Sequence, residues 1–163
     1  MEQRSGNNLQ ESQKWLQHLS KGNQGSELVT STLQGLKVVA SHEGYFRCHF
    51  LVPSSLLDQH GNWHVGAIAT LIDSVGNATA YSMSGPLKGS VDFTVSYFST
   101  AKFQEEIEIE AKVVGEQAKL IAFMVEVRRK SNGELIAIGK QWMASRGQVS
   151  NNSSNSSNSS SRL

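Results

Sequence analysis

GNWHVGAIATLIDSVGNATAYS, residues 61–82, is the stretch whose reading decides the fold of this chain. After Gly61, Trp63 and His64 it becomes a run of Ala, Ile, Leu and Val that carries one acid, Asp73, near its middle. The apolar residues recur at helical spacing, so the segment reads as a helix over about 65–82, stopped by GPLKG at 85–89. At about 100° per residue, Thr70, Asp73 and Asn77 share a face with Gly66, one turn before Thr70. Ala67, Ile68, Leu71, Ile72 and Val75 cover most of the remaining surface. The polar strip has no Lys, Arg or Glu, the long charged residues of an ordinary solvated face. Small residues and one Asp suit a close neighbour, either a ligand or a second subunit. The pattern is equally compatible with Asp73 standing at the wet edge of an amphipathic helix. An interior Asp costs about a few tenths of a kcal/mol against Ala in both cases.

Outward from this helix the period changes. Upstream, NLQESQKWLQHLS (8–20) reads as a helix, with Asn8 as cap, Glu11 as its capping-box partner, and an apolar stripe of Leu9, Trp15, Leu16 and Leu19. KGNQGS (21–26) is loop by composition. LKVVA, SHEG and YFRCHFLV read as a hairpin with a four-residue turn, ended by Pro53. Downstream, 90–99, 105–114, 119–130 and 134–145 read as strands, with GEQA (115–118) and SNG (131–133) as turns. The segment 90–145 is therefore expected to form an antiparallel meander. Two strands, one long helix and three or four more strands make an α+β pattern, a helix packed on one face of a curved sheet.

The totals exclude several classes. The chain has 163 residues and a net charge of +1 from 15 basic and 14 acidic side chains, so no basic stripe invites nucleic acid. One cysteine, Cys48, forbids an internal disulfide and a cysteine-based zinc site; it sits in an alternating run and reads as core. His60 and His64 are four apart, but no third ligand follows, so no metal is expected. No window of about 18 apolar residues exists, so no membrane span is expected. The N-terminal residues have neither the apolar core of a signal peptide nor the pattern of a mitochondrial presequence. Expected organisation is an N-terminal helix and linker (1–27), a folded domain (28–147) and a disordered Ser/Asn-rich tail (148–163). That tail ends Ser161-Arg162-Leu163, which keeps the small–basic–Leu chemistry of a peroxisomal import signal on a flexible tether. A peroxisomal location, through the import receptor, is expected from it, with the cytoplasm as alternative.

The start of the helix adds chemistry to Asp73. Its first turn presents free backbone N–H groups with the positive end of the helix dipole behind them. Gly66 permits close approach, and such a helix start suits a carbonyl gaining negative charge. Asp73 lies two turns along, about 10 Å away at roughly 1.5 Å per residue. That separation is too long for both to act on one carbonyl within a subunit. A catalytic Asp73 therefore calls for a dimer with two antiparallel helices side by side.

At these residues a resemblance appears. His64-Val65-Gly66, then AIATLI and Asp73, then SVDFTVSYFSTAK (90–102), resemble the hotdog-fold acyl-CoA thioesterases of the small thioesterase superfamily, the branch of acyl-CoA thioesterase 13 and the phenylacetate-pathway thioesterases. The likeness covers about residues 28–145. It implies an α+β hotdog fold, with a long central helix wrapped by a curved antiparallel sheet. It also implies a homodimer or homotetramer with active sites at the subunit interface, and hydrolysis of acyl-CoA to free acid and coenzyme A without a further cofactor. By resemblance, Asp73 activates water or attacks the thioester. The Val65 N–H and Gly66 form the oxyanion site, His64 orients the carbonyl or the water, and Ser90 assists from the partner subunit. Tyr97, Ser99, Thr100, Ala101 and Lys102, with Gly115, Lys119 and Leu120, match positions that line the coenzyme A channel. Two positions depart from the family pattern. Val65 stands where a Gly is usual, and Asp58 stands where near relatives carry Asn. Were Asp58 close to Asp73, the two carboxylates would raise one another's pKa. Two other readings remain: a non-catalytic acyl-CoA binding module on the same fold, and an acyl-thioester hydratase or dehydratase.

Overall fold

The computed structural model describes residues 2–146. Two helices, α1 (Glu2–Ser20) and α2 (Glu27–Leu33), precede the hairpin β1 (Lys37–His42) and β2 (Tyr45–Leu51). A 3₁₀ turn, Ser54–Leu56, leads to the long helix α3 (Val65–Ser84). Then come β3 (Leu87–Tyr97), β4 (Glu106–Gln117), β5 (Leu120–Arg129) and β6 (Leu135–Ser145). The six strands form one antiparallel sheet in the order β1-β2-β4-β5-β6-β3. The result is an α+β hotdog architecture: α3 lies across one face of the sheet, which wraps it without strong curl.

The core sits between α3 and the inner face of the sheet. Ile68, Leu71, Ile72 and Val75 of α3 meet Phe46, Cys48, Ile107, Ile109, Phe123 and Val125, all buried. Two glycines set the helix-to-sheet distance. A Cβ on Gly76 would lie 1.9 Å from the Phe123 ring, and one on Gly139 would lie 2.3 Å from Ile72. Buried hydroxyls on α3 are satisfied by its own carbonyls: Ser74 on Thr70, Thr79 on Val75 and Ser82 on Thr79. Ser82 Oγ also accepts the Gly44 N–H at 2.9 Å, tying the β1–β2 turn to the end of the helix. Gly85, at φ 73, closes α3 with its N–H on the Tyr81 carbonyl, a position that favours a residue without Cβ.

Several expectations are corrected. The segment 90–145 is not a meander throughout: β4-β5-β6 is one, but β3 pairs with β6 rather than β4. The connection 98–105 carries the chain from one end of the sheet across to its middle, leaving β3 as an edge. Strand alternation gives faces, not neighbours, so the pairing was not readable. The hairpin turn is the two residues Glu43 and Gly44, with Ser41 and His42 inside β1. β4 continues through GEQ to Gln117, and the turn falls on Ala118 and Lys119 instead. Asn8 does not cap α1, because the helix runs on upstream to Glu2. Glu11 instead receives the Asn7 amide and the Tyr81 hydroxyl. The short helix α2, capped by Ser26 Oγ on the Val29 N–H, had no strong periodic signal because it holds three β-branched residues in seven. Trp142, which its place on the last strand suggests is core or interface, is 40% exposed on the outer face and so is not core of the single chain. The expected tail and the Ser-Arg-Leu terminus lie outside the described residues.

Candidate active site

His64 is the N-cap of α3, with extended backbone (φ −63, ψ 130). Its Nδ1 accepts the Gly66 N–H at 2.9 Å. That bond sets the tautomer: Nδ1 carries the lone pair, and the proton sits on Nε2, which faces out of the helix as a donor. The Ala67 and Ile68 N–H groups both turn to the His64 carbonyl. The Gly66 N–H, an expected oxyanion donor, is therefore already engaged by His64. Among the described residues the Val65 N–H has no such partner. Val65 is the first helical residue and 54% exposed, and its φ is not positive, so Val meets no backbone strain there. A Cβ on Gly66 would press to 3.1 Å on the His64 ring. Gly66 thus serves the cap as well as access.

Asp73 faces the inner surface of the sheet near its β6–β3 margin. Its Oδ1 accepts from Gln141 Nε2 at 2.9 Å, and the same nitrogen donates to Ser90 Oγ at 2.6 Å. The structure thus brings Asp73 and Ser90 to one amide within a single chain, a correction to the expectation that Ser90 meets the site of Asp73 from the partner subunit. Gln141 is 2% exposed. It was not singled out from sequence. The available signal was its place in β6, where alternate residues Ala137, Gly139, Met143 and Ser145 point inward and a long polar side chain is out of pattern. Ser90 sits opposite Met143, beside an irregularity between Ser90 and Asp92. The extra residue, Val91, keeps Ser90 and Phe93 both on the inner face.

Asp58 lies in the loop that precedes α3. Its Oδ1 accepts the backbone N–H groups of His60 at 2.8 Å and Asn62 at 3.0 Å, folding the loop that precedes α3. The Asn62 N–H is the leading cause that holds its carboxyl below the usual range. Asp73 is not among the groups that shift Asp58; local N–H donors stabilise its charge instead. Trp63, 2% exposed, stacks on Phe50 and packs this loop onto the sheet.

The expected coenzyme A residues split into two groups. Tyr97 donates its hydroxyl to the Val65 carbonyl at 2.9 Å, placing the end of β3 beside the start of α3. Ala101, fully buried, accepts the Trp63 N–H, and Lys102 pairs with Asn62, so 99–102 borders the same helix start. Ser99 and Thr100 are held by β6 and by Arg129: the Ser99 hydroxyl donates to Leu135, and Arg129 donates to the Thr100 carbonyl. Gly115, Lys119 and Leu120 lie at the opposite end of the sheet. On β6, Tyr97 faces Ala137 while the Leu120 register meets Ala144. Seven residues of strand put the groups about 23 Å apart at roughly 3.3 Å per residue. One chain does not bring them together.

Among the described residues, no group of three or more His, Cys, Asp or Glu is placed to share a metal ion, and no helix is long and apolar enough to cross a membrane.

The chain is similar to known proteins in sequence and in fold. Residues 60–136 match the family model described as Thioesterase superfamily. Acyl-coenzyme A thioesterase 13 of Mus musculus is 33% identical over 110 residues, 66% of this chain and 78% of the relative. The Homo sapiens protein of that name is 33% identical over 107 residues, 64% of this chain and 76% of the relative. The crystal structure of zebra fish thioesterase superfamily member 2 superposes with a TM-score of 0.73 at 25% identity, covering 81% of this chain and 94% of that one. With a hotdog core, a His-capped central helix and one acid held on its inner face, the chain belongs to the hotdog-fold thioesterase superfamily.

Proposed function

We propose that Asp73 is the reacting carboxylate of an acyl-CoA hydrolase whose active site is shared between two copies of the chain. The enzyme is a thioesterase of the acyl-CoA type, as its relatives of that name indicate. The observation that carries the role of Asp73 is its setting. A lone carboxylate stands on the core-facing helix, tied through one oxygen to Gln141, with no cation against it among the described residues.

In the favoured sequence, Asp73 takes a proton from water as the oxygen attacks the thioester carbonyl carbon. The new C–O bond pushes the carbonyl pair onto oxygen, where the Val65 N–H and the α3 dipole of the other subunit meet the charge. Collapse breaks the C–S bond and expels coenzyme A as a thiolate, a good leaving group that then takes the proton. Attack by Asp73 itself would give a mixed anhydride. A single turnover in ¹⁸O water separates the two, because only the anhydride route leaves label in Asp73. His64 Nε2–H and Ser90 are placed as further donors.

The shared site is supported by three features. The Val65 N–H and Asp73 are about two turns apart on one helix. The two groups of coenzyme A residues stand at opposite ends of the sheet. The β3 edge beside the Asp73 face exposes Val91, Phe93 and Tyr97. An antiparallel pair of helices brings each helix start to the other's Asp73. A homodimer, or a homotetramer of paired dimers, follows from this reading.

The deciding experiment is release of free thiol from a panel of acyl-CoAs by wild type and Asp73→Asn. We expect turnover by wild type and a loss of at least about a hundredfold in kcat for the variant with KM little changed. Binding without thiol release would favour the non-catalytic module, and a change in conjugation would favour a hydratase. The Ser-Arg-Leu terminus supports delivery to peroxisomes. An N-terminally tagged chain lacking residues 161–163 should lose that location; unchanged distribution ends the idea.

A further inference from the structure

We propose that Gln141 is a positioning residue for this hydrolysis: its amide selects the oxygen of Asp73 that reacts and makes Ser90 a hydrogen-bond donor toward the substrate. The inference rests on Asp73 being the reacting carboxylate of a thioesterase, and deepens that reading.

The hydrogens on one nitrogen decide the arrangement. Nε2 carries two. It lies 2.9 Å from Asp73 Oδ1 and 2.6 Å from Ser90 Oγ, so each hydrogen has a natural acceptor. A flipped amide would set Oε1 against the Asp73 carboxylate, acceptor against acceptor, so the charge of Asp73 fixes the orientation. With Oδ1 engaged, Oδ2 has no partner among the described residues and is the oxygen left to take a proton from water. Ser90 Oγ already accepts from Gln141, so its own O–H points elsewhere. Among the described residues it has no acceptor, and Ser90 is exposed. It is a donor held ready at the mouth of the site.

The surroundings separate this from a merely structural role. Gln141 is 2% exposed, and its cross-strand neighbours are Phe123 and Phe93, with Met143 Sδ at 3.4 Å from Nε2. Its Oε1 is buried with no hydrogen-bond partner. An amide with one bare buried acceptor is a poor choice for stability alone, since an apolar side chain of similar shape would leave nothing unsatisfied. What the amide does supply is donors within reach of Asp73 Oδ1 at 2.9 Å and Ser90 Oγ at 2.6 Å, both closer than its third acceptor, Met143 Sδ at 3.4 Å.

The test is Gln141→Met, which keeps length and lack of branching and removes the amide. We expect kcat to fall about 10- to 100-fold, as for misplacement of a reacting group, with KM within about twofold of wild type. Thermal unfolding should occur at the same temperature or higher. Ser90→Ala alone should lose activity, and Ser90→Ala with Gln141→Met should lose no more than about threefold beyond Gln141→Met, because the two act as a unit. Should Gln141→Met fail to fold, Gln141→Glu, equal in shape, is measured instead, with the same split of kcat from KM expected. A Gln141 variant with kcat within about threefold of wild type overturns the proposal, as does a loss matched by unfolding. Multiplying losses in the double variant overturn the Ser90 half. If wild type turns over and Asp73→Asn loses turnover while Gln141→Met is unaffected, this inference alone falls. If wild type releases no thiol, the hydrolase reading falls, and this inference with it.

Discussion

Cys48 shows how fully one side chain is governed by its place. It is fully buried on β2, opposite Ile109 of β4, and burial pushes its thiol up to about 12 from an ordinary 9.0. The folded state therefore keeps its proton at pH values where the unfolded chain loses it. Above about pH 9, stability should fall by about 1.4 kcal/mol per pH unit from this group until the folded thiol titrates. Urea melts at pH 8 and pH 10.5 measure the difference, and Cys48→Ala should flatten it. A thiol reagent should find no reactive group in the native protein and one after unfolding. Asp58 runs the other way. Its carboxyl is lowered by the Asn62 and His60 N–H groups, so its contribution is present above the unfolded pKa and is lost as pH falls through the folded one. Asp58 and Asp73 are thus the same residue type in different settings. The first accepts two backbone N–H groups of its own loop, and the second accepts the Gln141 amide through Oδ1, with Oδ2 unpartnered among the described residues.

At the scale of elements, the contact between α3 and the sheet is set by what is missing at two positions. Gly76 and Gly139 let Phe123 and Ile72 fill space that a Cβ would take. Phe123 lies between buried strands and cannot swing to solvent. Gly76→Ala should gain helix propensity but lose more to overpacking, a net loss of about 1–3 kcal/mol seen as a lower urea midpoint with unchanged slope. A variant as stable as wild type would show that the helix slides on the sheet without cost. The helix start has its own logic. His64 caps α3 by taking the Gly66 N–H, which leaves the Val65 N–H outward and gives the imidazole Nε2 its proton. The helix periodicity was legible in the sequence, and so was the polar strip. The cap was not, because His rarely caps and its role depends on a turn geometry set by Leu56, whose carbonyl accepts the His64 N–H at 2.8 Å.

For the whole molecule, the exposed β3 edge is the feature with the largest consequence. An eleven-residue edge strand with Val91 61% exposed is a template for a second copy. Val91→Lys should weaken self-association, read as a lower mass in analytical ultracentrifugation. Thiol release should fall with it, because each proposed site needs the other subunit's helix start. Monomers that keep full turnover would place the whole site within one chain.

Read alone, the sequence determined the long helix, the strand faces, Asp73 on a strip without long charges, and a burial place for Cys48. All of these follow from periodicity, which is a local property of the chain. It also carried the family through the residues from His64 to Asp73 and from Ser90 to Lys102. Tertiary structure decided the rest. That β3 leaves the meander to pair with β6 depends on where a connection lands, not on alternation. That Gln141 reaches both Asp73 and Ser90 depends on residues 68 and 51 positions apart meeting at one nitrogen. That Asp58 serves its own loop depends on two N–H groups turning inward. Periodicity tells which way a side chain points; only the packed fold tells what it meets there.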